Sequence, residues 1–231
     1  MITLPLLPLM LAQVNADRSA QFFDAIRKGD AAEVRALLAV DPGLATARRE
    51  DGATAVLWAA YTRHPELAPV ILGPREPDFF EACALGRPER VEQLLRADLG
   101  LAKTDSADGF SGLGLAAFFG NVEIGRLLVE AGADVNRASR NAIRVSPLHS
   151  AVASGSVTLL DLLLSHGAAP DAVEFLEATP LHSAAGHGNR EMVEKLLAAG
   201  ADRKRRTKDG KTAADLARQY GHAELAAELE K

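Results

Sequence analysis

The sequence predicts an all-α repeat solenoid. Stacked helix-turn-helix units are joined by β-hairpin or loop fingers, about seven units including degenerate caps. The first observation is a duplication. Phe22-Phe23-Asp24-Ala25 matches Phe79-Phe80-Glu81-Ala82 at an offset of 57, and the offset persists through Val34 and Val91, Leu37-Leu38 and Leu94-Leu95, Gly43-Leu44-Ala45 and Gly100-Leu101-Ala102, and Ala59-Ala60 and Ala116-Ala117. The second is a shorter period: Gly86, Gly120, Gly155, Gly188 and Gly221 are spaced by 34, 35, 33 and 33 residues. The third is a recurring pair of phrases. Ser146-Pro147-Leu148-His149-Ser150-Ala151 and Thr179-Pro180-Leu181-His182-Ser183-Ala184 are each followed by a leucine-rich stretch. Phrases such as Ala131-Gly132-Ala133-Asp134 and Ala199-Gly200-Ala201-Asp202 close such stretches.

Along the chain, residues 1–19 form an apolar N-terminal segment and residues 20–231 the repeat domain, with units beginning near 20, 52, 78, 109, 144, 177 and 210. The run Ile2–Leu11 is ten residues long, short of the ~20 needed to span a bilayer as a helix. It reads either as a segment packed over the first repeat or as a secretory signal cleaved after Val14-Asn15-Ala16. No Lys or Arg precedes it, and Pro5 and Pro8 interrupt it. The second unit is short: Ile71-Leu72-Gly73 runs into Pro74-Arg75-Glu76-Pro77 and Asp78, leaving no room for a hairpin.

Within a unit, the Ser146 or Thr179 hydroxyl can cap the first helix, and the next proline sits where its missing N–H costs nothing. Leu148 and Leu181 start the buried stripe, and Gly155, Gly188 and Gly221 end that helix. Met192, Val193, Leu196 and Leu197 repeat at helical spacing in the second helix, and Gly132, Gly167 and Gly200 follow second helices, where a left-handed cap is needed. Asp-Gly at 51–52, 108–109 and 209–210 forms turns between units. In the last unit Leu216, Leu225 and Leu229 face inward, while Asp215, Arg218, Glu224, Glu228 and Lys231 supply a wet outer face.

The Thr-Pro-Leu-His-x-Ala phrase, the glycine that follows it and the Leu-Leu-x-x-Gly-Ala-Asp phrase resemble the ankyrin repeat family over about residues 20–231. The resemblance implies fingers projecting beside the first helices to form a concave face that binds other proteins. It also implies a structural role for His149 and His182, hydrogen-bonded to backbone of neighbouring loops. The family's variable contact places lie just before the capping residue and just before the glycine ending the first helix. Here they fall on Phe110, Phe118, Phe119, Ile143, Arg144, Val145, Phe175, Leu176 and His187, with Tyr61 and Tyr220 in the second and last units. Two stretches depart from the family pattern. Residues 137–145 make a finger about two residues too long, and residues 171–178 lack the usual glycine and are apolar.

Composition narrows the function. Apolar residues make up 48% and charged residues 25%, as in ordinary soluble domains. A net charge of −5 disfavours nonspecific nucleic-acid binding. Cys83 is the single cysteine, so an internal disulfide and a cysteine zinc cluster are excluded; a buried thiol is expected. Six histidines lie scattered over the repeats, without the converging ligands zinc needs. Adjacent pairs such as His149-Ser150 and His182-Ser183 point in different directions along a helix and make no nucleophile–base dyad. Ser111, within Gly109-Phe110-Ser111-Gly112-Leu113-Gly114, occupies the helix-cap place rather than a nucleophile elbow.

The basic run Arg203-Lys204-Arg205-Arg206, with Lys208 and Lys211, fits a solvated hairpin tip, a contact to an acidic patch on a partner, or nucleic acid. The expectation is a noncatalytic protein-binding module (scaffold, adaptor or inhibitor), monomeric and cytoplasmic, without cofactor, metal, nucleic acid or membrane span. The alternatives are an enzyme or metal binder using the concave face, or a periplasmic or secreted accessory protein if residues 1–16 are a signal.

Overall fold

In a computed structural model the backbone is described for residues 6–231 and side chains from residue 16 onward. The possible signal segment therefore lies partly outside the described residues. Among the described residues there are fourteen α-helices and no strand. They divide into two units, residues 1–81 and 82–231, with the division falling inside one helix.

The unit of residues 1–81 holds α1 (Leu6–Lys28), α2 (Ala31–Val40), α3 (Ala55–Tyr61), α4 (Ala68–Leu72) and the start of α5 (Phe79–Leu85). First helices pack on first helices, α1 on α3, and second helices on second helices, α2 on α4. Phe22, Ile26, Val34, Leu57, Leu67 and Ile71 fill the core between these layers. Trp58 donates its indole N–H to the Phe23 carbonyl at 3.0 Å, and the Arg49 guanidinium lies 3.7 Å over its ring.

No hairpin precedes α5. Arg75 instead forks onto Glu81 at 2.6 and 2.9 Å, while Asp78 and Glu81 exchange backbone-to-carboxylate hydrogen bonds of 2.9 and 3.0 Å that cap the helix. Burial pushes the Glu81 carboxyl up. The opposing bonds from Arg75, the Asp78 N–H and the Thr54 hydroxyl outweigh it and hold the group below its ordinary value.

The unit of residues 82–231 continues with α6 (Pro88–Ala97), α7 (Gly112–Phe118), α8 (Val122–Glu130), α9 (Pro147–Ser154), α10 (Val157–Ser165), α11 (Pro180–Gly186), α12 (Arg190–Ala198), α13 (Ala213–Gln219) and α14 (Ala223–Leu229). The layering repeats: α7, α9, α11 and α13 pack in series, and α6, α8, α10 and α12 form the second layer. Leu113, Leu115, Ile124, Leu128, Leu148, Leu159, Leu160, Leu181 and Leu196 are buried between them. Close approach of first helices rests on Ala116, Ala117, Ala151, Ala184, Ala185 and Ala217, each nearly or fully buried.

The sequence duplication is also a structural one. The 3-10 turn Pro42–Thr46 has its counterpart at Leu99–Lys103, and the bridge Arg48–Thr54 at Asp105–Ser111, all displaced by 57 residues. These two isolated bridges show what the expected β-hairpin fingers are: tight turns too short for a ladder. A second regularity joins neighbouring repeats. Gly188 turns the chain at φ 69°, and a methyl group there would overlap the ring of His222; Gly29, at φ 71°, meets His64 in the same way. Glycine thus serves twice at these corners, allowing the left-handed turn and leaving room for the next repeat's imidazole.

At the C-terminal end Ala213, Ala214, Ala217, Leu225, Ala226 and Leu229 are buried. Leu216, expected inward, is only half-buried, because Ala213 and Ala217 occupy the face turned to α11.

Candidate interaction surface

Three of the four fingers described in residues 82–231 share one local device. In residues 105–111 the Ser106 N–H bonds the Phe110 carbonyl at 2.8 Å, and the Ser106 hydroxyl donates to the Asp108 carboxylate. The finger before α13 repeats this: Thr207 N–H bonds the Lys211 carbonyl at 2.9 Å, and its hydroxyl donates to Asp209 at 2.5 Å. In the long finger Ser139 N–H reaches the Val145 carbonyl at 2.8 Å, with Asn141 in the acidic place at 2.8 Å. The finger of residues 171–178 lacks the serine, and Glu174 replaces the pair. Its N–H closes onto the Ala178 carbonyl at 3.1 Å, and its carboxylate accepts from Leu176 N–H at 3.0 Å.

Neighbouring fingers are sewn together by backbone. Arg140 N–H donates to the Gly109 carbonyl at 2.8 Å, Phe175 N–H to Ile143 at 3.1 Å, and Lys208 N–H to Leu176 at 2.8 Å. These bonds place Ile143, Phe175 and Leu176 side by side and set Lys208 against them. The turn position that is glycine in two fingers, Gly109 at φ 90° and Gly210 at φ 80°, is Arg144 at φ 57° and Glu177 at φ 60° in the two between. A side chain in that region costs on the order of 1–2 kcal/mol. Both strained residues adjoin the apolar tips.

Exposure sorts the sequence-predicted residues. Phe175 is 53% exposed, Leu176 48%, Ile143 47%, Phe118 47% and Tyr220 61%. Arg144 and His187 are also exposed. Phe110, Phe119 and Val145 are half-buried, so only part of each faces solvent. Phe118 and Phe119 stack edge to face with centroids 5.1 Å apart at the end of α7, and Tyr220 lies against Gly186 at the end of α11. Tyr61 lies in the unit of residues 1–81, half-buried at the end of α3.

His149 and His182 are wholly absorbed by structure. The Nδ1 of His182 accepts from the Thr179 N–H at 3.1 Å and pairs with its hydroxyl at 2.8 Å, while Nε2 faces the Lys211 carbonyl at 3.1 Å. His149 does the same with Ser146 and the Ala178 carbonyl. An N–H pointing at Nδ1 and a carbonyl at Nε2 require the neutral ring protonated on Nε2. Burial pushes both imidazoles below their ordinary value. Ser111 accepts from the Gly114 N–H at 3.0 Å as a helix cap, and Cys83 is buried.

Among the described residues no group of three or more His, Cys, Asp or Glu could hold a metal ion, and no helix is long and apolar enough to cross a membrane. The sequence reading missed the Ser/Thr-x-Asp/Asn device of the fingers, although Ser106-x-Asp108 and Thr207-x-Asp209 stand at the same distance before their capping residues.

Layered helix pairs, capped by Ser/Thr and crossed by histidine bonds to the next finger, define a helical repeat protein. The family profile for ankyrin repeats (three copies) matches residues 79–174 and 148–230, and the chain belongs to the ankyrin repeat family. A stretch of 63 residues is 40% identical to "Ankyrin repeat and SAM domain-containing protein 6" of Danio rerio, covering 27% of this chain and 8% of that protein. Ankyrin repeats are in general protein–protein interaction modules, and the family is typically noncatalytic.

Proposed function

We propose that this chain is a noncatalytic binding module, a scaffold, adaptor or inhibitor. It engages its partner protein through the finger tips and first-helix ends of residues 110–220. The observation that carries the reading is the adjacency of Ile143, Phe175 and Leu176. These are three large apolar side chains, each about half exposed, on two fingers held in register by the Phe175–Ile143 backbone bond. Large apolar side chains gathered on an exposed surface mark interaction sites. Phe118, Phe119, His187 and Tyr220 line the first-helix ends beside them and supply aromatic and imidazole anchors of the kind that dominate interface energetics. Arg144 and Val145 flank Ile143 and complete the surface; Tyr61 is a separate contact in the unit of residues 1–81.

The test is Phe119→Ala and the double variant Phe175→Ala/Leu176→Ala, each measured for partner capture from source-cell lysate and for melting temperature. Loss of the captured band with unchanged melting supports the assignment. Lower melting with intact capture makes these packing residues and overturns it.

A further inference from the structure

We infer that the strip formed by the tips at Ile143–Arg144, Phe175–Leu176 and Arg203–Lys208 docks an acidic segment of the partner protein, one bearing an apolar side chain among its carboxylates. The inference rests on the binding reading above and adds the chemistry of the occupant.

Charge is the argument. The chain carries a net charge of −5, yet residues 203–211 hold six cations against the single carboxylate of Asp209. Arg203, Lys204, Arg205 and Lys208 are exposed, and none forms an ion pair among the described residues; the same is true of Arg144. Several cations elsewhere on the surface are paired. Arg137 is forked onto Asp105 at 2.6 Å, Lys195 onto Asp161 at 2.9 Å, and Arg190 and Arg218 onto Glu228 and Glu230. Arg35, Arg63, Arg87, Lys103 and Arg126 are also exposed without an ion pair among the described residues, but they are scattered along the chain; what sets this strip apart is density, six cations within nine residues. Glu174 and Glu177 flank the middle tip, so the positive excess is centred on residues 203–208; such an excess on a protein of net negative charge attracts an oppositely charged partner and orients it on approach.

Geometry joins the charge to the apolar tips. The Lys208 N–H bonds the Leu176 carbonyl, and the Phe175 N–H bonds the Ile143 carbonyl, so the basic finger and the two apolar tips belong to one connected set of fingers. Ile143 and Leu176 are aliphatic. Phe175 is the single ring of the strip on which a base could stack, whereas an apolar side chain of a peptide fits against all three tips. That favours a polypeptide over a nucleic acid.

The experiment selects a displayed library of random twelve-residue peptides against the full chain. It repeats the selection on Arg203→Glu/Arg205→Glu/Lys208→Glu and on Phe175→Ala/Leu176→Ala. Thermal melting shows that each variant is folded, and the single variant Lys208→Glu serves if the triple one is not. Labelled oligouridylate is the second probe. The expected result is enrichment of peptides with net negative charge and at least one large apolar residue. Their affinity should fall at least about tenfold, or 1.4 kcal/mol, on charge reversal, fall on apolar truncation, and weaken as salt rises from 50 to 300 mM. Neutral or basic winners that still depend on Phe175 and Leu176 overturn the acidic assignment and leave the binding surface standing. Winners indifferent to both variants, or no winners, overturn both. Oligouridylate that binds more tightly than any peptide and is lost on charge reversal, whatever the effect of the apolar truncation, overturns the inference in favour of a nucleic acid.

Discussion

Replacing His182 with alanine should destabilise the chain by about 2–5 kcal/mol, and the figure follows from what the ring touches. His182 is 1% exposed, and Thr179, whose N–H it accepts, is fully buried. Truncation strands that N–H and the Lys211 carbonyl that Nε2 serves at 3.1 Å. A buried polar group without a partner costs about 1–3 kcal/mol. Water reaches the half-buried Lys211 more readily than Thr179, so the carbonyl stands at the low end of that range and the N–H at the high end. A cavity the size of an imidazole adds to the loss.

Urea unfolding at pH 7.5, followed by far-UV circular dichroism, reads the effect. With a slope of roughly 2–3 kcal/mol per molar, a loss of 3 kcal/mol moves the midpoint by about 1 M. A second variant isolates the cap. In the last repeat Asp215 stands in the histidine place and accepts the Thr212 N–H at 2.9 Å. His182→Asn can therefore restore the cap without the bond to the next finger, and its midpoint should fall between wild type and alanine. An unchanged midpoint for His182→Ala with an intact spectrum refutes the reasoning, as does an asparagine variant no better than alanine.

Glu177→Gly should raise stability by about 0.5–1 kcal/mol, the left-handed penalty at φ 60° less the extra chain entropy of glycine; a lower urea midpoint would contradict it. Deleting residues 210–231 removes α13 and α14, uncovers the buried side of α11 and takes away the carbonyl that His182 needs, so solubility and melting temperature should fall together. Both buried histidines have folded values depressed below 6.5. As pH drops below about 6.5 the unfolded chain takes up protons first, so stability is lost by up to about 1.4 kcal/mol per pH unit per histidine until the depressed folded values are passed. The urea midpoint should decline from pH 7.5 to 5.5, and His149→Gln/His182→Gln should flatten the slope.

The period and the caps were legible because each is a local rule, whereas the role of the cross-repeat histidines came from the family resemblance. A hydroxyl three residues before a free N–H, a proline in the first turn and a glycine at a left-handed corner leave marks at fixed spacing, and Ser146, Pro147 and Gly155 carry all three. What stayed hidden depends on neighbours distant in sequence or on residues that break the spacing. Asn121 reaches back 38 positions to the Cys83 carbonyl at 2.8 Å. Leu216 lies half-open because two alanines suffice to meet α11. The left-handed turns at Arg144 and Glu177 were invisible because the usual signal is the glycine they have replaced. Exposure of Ile143, Phe175 and Leu176 was read from the family's contact places; their adjacency came only with the inter-finger backbone bonds.

Those two replaced glycines bear on function as well as on legibility. Glycine at the turn of a finger is the low-strain solution, and Gly109 and Gly210 show that this chain uses it in the flanking fingers. Giving it up at Arg144 and Glu177 costs stability at both, and among the described residues no hydrogen bond of either side chain offsets that cost. Strain of this kind persists where a local side chain or backbone direction is needed for something other than folding. At both positions the strained residue directly follows an exposed apolar tip, Ile143 before Arg144 and Leu176 before Glu177. Glu177→Gly therefore has a second expected consequence. A more stable chain that binds its peptides less well would show that the strained turn aims Leu176 at the partner. A more stable chain that binds equally well would show that the turn is indifferent to binding and that the apolar tips act on their own.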